Sequence, residues 1–172
     1  MSRASGQRFF EDLAIGETIE LRRMTVTKDM VVGFAREFDP FPFHLDEAAA
    51  KKSLLGGLAA SGWQTVALSQ RMLVDGFLSG IASLGSQGFT DLKWKKPVMV
   101  GDSIGGTATL VDLQGSEPDR DRGVVTIALD VRNGRGEPVM SMHLTHRVAT
   151  RTETPDLPAE PASTTSGDGD KR

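Results

Sequence analysis

Asp39 and His44 stand five residues apart in Phe38-Asp39-Pro40-Phe41-Pro42-Phe43-His44-Leu45-Asp46, a stretch stiffened by Pro40 and Pro42. A carboxylate and an imidazole on such a loop can be aimed at one water. One takes its proton while the other delivers a proton to a substrate, provided both reach the reacting atoms. Each residue also has an ordinary use: aspartate caps turns, and histidine is common in loops.

A second chemical feature is Ala60-Ser61-Gly62-Trp63, at the start of an apolar stretch. Backbone N–H groups at a helix start lack partners and carry partial positive charge. Glycine lets another group come close to that backbone. Such a start can hold the oxyanion of an enolate or thioester, or Gly62 can simply serve helix packing. A third feature, Lys93-Trp94-Lys95-Lys96-Pro97, is a small basic cluster beside an aromatic ring. It suits the phosphates of a cofactor-like ligand, or the solvated end of a strand.

Several chemistries are excluded or unsupported. The 172 residues contain no cysteine, which removes disulfides, thiolate zinc sites and cysteine nucleophiles and fits a cytoplasmic protein. The absence of tyrosine removes one general acid. His143 and His146, three apart on an expected strand, point to opposite faces, and no metal-ligand spacing occurs elsewhere. No phosphate loop or dinucleotide fingerprint is present. A net charge of −3 gives no reason to expect nucleic acid. Met1 to Gly6 does not resemble a signal peptide, and no apolar run approaches the ~20 residues of a membrane span.

The elements that must position these residues follow from periodicity. Thr18 to Val26 reads as a strand whose facing parity switches near Arg22-Arg23, the sign of a bulge. Thr27 is an N-cap, and Val31, Phe34, Ala35 and Phe38 give a helical stripe that Pro40 ends at Asp39. A short helix is expected at Asp46 to Lys52. From Ala59 to Leu78 the chain is apolar on most sides, with Gln64, Arg71 and Asp75 on one narrow stripe, as in a buried helix. Period two follows: strands at Ser83 to Trp94, Ser103 to Leu113, Val125 to Val131 and Glu137 to Ala149, joined in meander-like succession. Residues 1–7 are expected to be mobile, residues 8–150 to form one domain, and residues 151–172 to be a disordered tail. The class is α+β, an antiparallel sheet around one long helix.

These residues resemble a known family. Asp39-x-x-Pro42-x-His44-x-Asp46, followed by Ala59-x-x-Gly62, is similar to the signature of MaoC-like dehydratases, also called (R)-specific enoyl-CoA hydratases. Trp94-x-x-Pro97-Val98-x-x-Gly101-Asp102 resembles a strand and turn of the wider hot-dog superfamily. The resemblance spans about residues 8–149. It implies a hot-dog fold, a homodimer or higher oligomer, and reversible addition of water to a 2-enoyl thioester. Coenzyme A or an acyl carrier would enter as part of the substrate, with no other cofactor. On that pattern Asp39 and His44 handle water and the α-carbon proton, and the Gly62 N–H binds the thioester oxygen. Phe41, Phe43, Ser61, Trp63, Gln70, Lys95 and Lys96 become the expected substrate contacts.

Three positions depart from the family pattern. Phe41 replaces a usual asparagine, Ser61 a frequent histidine, and Gln70 a small hydroxyl residue. Phe41, Phe43 and Trp63 imply more aromatic surface than a short linear acyl group requires. A hot-dog thioesterase and a non-catalytic acyl-binding subunit are the competing functions.

Overall fold

The computed structural model describes residues 6–115 and 121–151. The tail expected from Arg151 onward therefore lies outside the described residues beyond Arg151, as does the N-terminal segment before Gly6.

Strand β1 (Thr18–Thr25) leads to four helices: α1 (Lys28–Phe38), α2 (Pro42–Leu45), α3 (Glu47–Lys52) and α4 (Gly62–Gly76). Strands β2 (Ser83–Trp94), β3 (Ser103–Gly115), β4 (Arg122–Arg132) and β5 (Pro138–Ala149) follow. All five strands form one antiparallel sheet in the order β1-β3-β4-β5-β2. The bulge expected in β1 occurs between Leu21 and Met24.

The meander holds for β3, β4 and β5 and fails at β2, which pairs with β5 rather than β3. The reason lies in residues 95–102. They are not a tight turn; Val98 is buried there and accepts from Ala60 N at 2.8 Å, while Val100 N donates to Leu58 O at 3.0 Å. This crossing segment carries the chain to the opposite edge, where β3 meets β1. It also corrects the start of the long helix. The backbone around Ala59 and Ala60 is extended against residues 98–100, so α4 begins at Gly62.

α4 lies against β1 and β3, and its Met72 and Leu73 join Leu21, Ile104, Ile127 and Met142 in one core. β4 supplies Val125, Ile127, Leu129 and Val131 from alternate positions, all buried. The helix is not enclosed on every side. Its open face is the i, i+4 row Trp63, Ala67, Arg71 and Asp75. Gln64, expected on the polar stripe with Arg71 and Asp75, is instead buried, its Nε2 donating to Met30 O of α1 at 2.7 Å. A long polar side chain at that position reaches the backbone of α1 and so leaves the solvent face to Trp63.

Candidate active site

Asp39 is the C-cap of α1. Its N–H donates to Ala35 O at 3.0 Å, and the helix begins from Thr27, whose hydroxyl accepts from Met30 N at 3.3 Å. Residues 40–45 were expected to be a rigid loop. Only the first part is: Pro42 starts α2, one helical turn that carries Phe43 and His44. Proline at a first helical position has the right φ and no N–H to leave unpaired. Asp46 then caps α3, accepting from Ala49 N at 2.8 Å. The carboxylate of Asp46 is thereby committed to structure.

His44 is buried, and its Nδ1 lies 2.8 Å from Ala59 O. A carbonyl oxygen only accepts, so Nδ1 carries the proton and Nε2 of the neutral ring carries the lone pair. That Nε2 stands 3.7 Å from Asp39 Oδ2. The two groups are near enough to share one water and too far apart for a direct hydrogen bond. Oδ2 of Asp39 is also taken by Ser61, whose hydroxyl donates to it at 2.6 Å.

The pair opens on a cavity of about 400 Å³. Its walls include Phe43, Gly62, Trp63, Thr65 and Trp94, and its rim Lys95, Lys96 and Pro97. The Gly62 N–H has no acceptor among the described residues, whereas the next N–H, of Trp63, donates to Ser61 Oγ at 3.2 Å. A donor free at the helix start therefore shares a cavity with Asp39 and His44.

The expected substrate contacts divide. Phe43, Trp63, Lys95 and Lys96 line the cavity. Phe41 does not; it is half exposed and stacks on Phe43 with ring centres 5.2 Å apart. Ser61 is fully buried behind Asp39, and Gln70 is half-buried on α4 away from the cavity lining. The two rim lysines differ. Lys96 Nζ bonds Glu137 Oε1 at 2.5 Å, and with Asn133 and Arg135 it holds the Glu137 carboxyl down at about 2. Lys95 has no such partner among the described residues. Trp94, expected as the aromatic of the basic cluster and of the strand-and-turn pattern but not among the substrate contacts, is a wall of the site. Its ring meets Trp63 edge-on at 5.4 Å. No spacing in the chain signals that contact, because β2 and α4 are brought together only by the fold. Among the described residues no group of acidic or histidine side chains could hold a metal ion, and no helix is long and apolar enough to cross a membrane.

The family described as "MaoC like domain" matches residues 10–132. The chain belongs to the MaoC-like domain family. A MaoC-like dehydratase from Rhodospirillum rubrum is similar over 84% of this chain and 99% of its own, at 40% identity and a TM-score of 0.75. A structure described as a monoamine oxidase regulatory protein from Archaeoglobus fulgius is similar at 32% identity and a TM-score of 0.78, covering 87% of this chain and 99% of the other. Uncharacterized protein YdeM of Bacillus subtilis is 30% identical over 72% of this chain and 86% of its own length. The hot-dog fold expected for this MaoC-like chain is thereby established. Structures of (R)-hydratases at 21% and 22% identity share that fold.

Proposed function

We propose that this MaoC-like protein is a hydro-lyase that adds water reversibly to the 2,3-double bond of a 2-enoyl thioester, carried on coenzyme A or an acyl carrier. The observation that supports it is the shared cavity of Asp39, His44 and the free Gly62 N–H. A water held between the Asp39 carboxylate and His44 Nε2 gives one proton to that pair as its oxygen bonds C3. The π electrons of C2=C3 move onto the thioester carbonyl, and the Gly62 N–H holds the resulting enolate oxygen. The enolate then takes a proton at C2 from the pair, completing addition of one water. Dehydration runs through the same steps backwards. The nearby rings of Phe43, Trp63 and Trp94 favour a flat or aryl-bearing acyl group over a short linear one.

The outer edge of β2 is unpaired among the described residues and carries exposed Leu84, Phe89 and Trp94. An open apolar edge needs cover. A second copy of this chain is the partner proposed, giving a homodimer; a monomer by light scattering at micromolar concentration would overturn this.

The test of the reaction is turnover of short, long and aryl-substituted trans-2-enoyl thioesters, followed by mass spectrometry in the wild type and in Asp39→Asn. A gain of one water, lost in the variant, is expected. Free thiol and acid would make the protein a thioesterase instead. Binding without turnover would make it an acyl-binding subunit.

A further inference from the structure

We infer that Ser61 is the residue that positions the catalytic carboxylate, and that it does so by tying Asp39 to the start of α4. The inference rests on the hydratase reading above and adds a residue to its machinery.

A serine hydroxyl has one proton to give. Ser61 Oγ accepts the Trp63 N–H at 3.2 Å, and at 2.6 Å from Asp39 Oδ2 it meets an atom that can only accept. The proton of Ser61 is therefore directed at Asp39. The result is a relay of two hydrogen bonds, Trp63 N–H to Ser61 Oγ and Ser61 O–H to Asp39 Oδ2. Ser61 is completely buried, so no solvent competes for the hydroxyl. The second bond is short and has an ionised acceptor, the stronger class of hydrogen bond.

Three consequences follow from the position of Ser61 in the chain. First, it fixes Oδ2 of Asp39, the oxygen 3.7 Å from His44 Nε2, and with it the gap across which the pair shares a water. Second, Asp39 comes after α1 and has no regular element of its own on its C-terminal side until Pro42. The bond to Ser61 joins it to the longest helix of the fold, 22 residues later in the sequence. Third, Ser61 and Gly62 are neighbours. The residue that orients the base and the N–H assigned to the thioester oxygen are one backbone step apart, so the same helix start holds both. Two other groups complete the setting. The Ser61 carbonyl accepts from Thr65 N at 3.0 Å and from Thr65 Oγ1 at 3.2 Å, which fixes the residue from its other side.

Ser61→Ala, Ser61→Thr, Asp39→Asn and Asp39→Asn/Ser61→Ala test this with the full-length protein and the best enoyl thioester of the panel. Ser61→Ala should lower kcat by about 10²-fold, the scale of a misplaced catalytic group, with KM within twofold or so. Ser61→Thr keeps the hydroxyl and should restore most of kcat. The double variant should be no slower than Asp39→Asn alone, because Ser61 acts through Asp39. A rise in KM with kcat kept would make Ser61 a substrate contact, and additive losses would separate it from Asp39; either overturns the inference. If the wild type hydrates nothing, the hydratase reading fails by itself. A urea-unfolding cycle of Ser61→Ala, Asp39→Ala and their combination then decides the coupling without any substrate, and additive stability losses would reject it.

Discussion

The indole of Trp94 occupies the place a side chain on Gly62 would need. Trp94 Nε1 donates to Gly62 O at 3.0 Å, and a Cβ on Gly62 would stand 2.7 Å from Trp94 Cε2. Glycine is required at the start of α4 by a ring, not only by an incoming substrate. Gly62→Ala should therefore destabilise the protein by about 1–3 kcal/mol, the usual cost of overpacking, although alanine is the better helix former. Gly62→Ala with Trp94→Ala should recover part of that loss. Urea unfolding reads both, and equal losses with and without the indole would show that something else excludes the side chain.

His44 has both ring nitrogens assigned by its surroundings: Nδ1–H to Ala59 O, Nε2 toward Asp39. His44→Ala should lower kcat by about 10²–10⁴-fold, the range for a removed acid–base group, while circular dichroism remains that of a folded protein. Turnover within tenfold of the wild type would remove His44 from the mechanism.

Lys95 is the rim cation that Glu137 does not neutralise. Lys95→Ala should raise KM for a coenzyme A thioester by about two- to fivefold, the range of one screened surface ion pair, with kcat unchanged. The same variant should show no change with a pantetheine thioester, which lacks the nucleotide phosphates. An equal effect on both substrates would place Lys95 against the acyl or pantetheine portion instead.

His146 is buried on the inner face of β5, with Nε2 2.8 Å from Ser83 Oγ and Nδ1 2.9 Å from Ser86 Oγ. Burial pushes its pKa below the ordinary 6.5. Below 6.5 the unfolded chain binds a proton that the folded chain resists, so the contribution of His146 is complete above that pH and is lost as pH falls toward the folded value. Urea unfolding at pH 7.5 and pH 5.5 should show the wild type losing stability on acidification, and His146→Gln losing less. An unchanged slope in the variant would assign the pH dependence to other groups.

Most elements and the chemical inventory were legible in the sequence, the helical turn at Pro42–Leu45 excepted. Thr27 and Pro40 bracket α1 because a cap and a proline act within one turn. The change from helical to period-two spacing after Leu78 marks β4 and β5, because burial of one face imposes its period on the chain, whereas β2 is exposed along nearly its whole length. Asp39 and His44 were legible as a pair because they are close along the chain and braced by proline. What these elements meet depends on how sheet and helices pack. The crossing of residues 95–102 sent β3 to β1 and cut α4 back to Gly62, a matter of long-range backbone pairing that no local pattern encodes. Gln64 went inward and Trp63 outward because Met30 O happened to be within reach. Trp94 against Gly62, and Ser61 against Asp39, join positions 32 and 22 residues apart. Their identities were visible from the start, but hydrogen bonds of about 3 Å depend on a geometry fixed only when sheet and helix have packed.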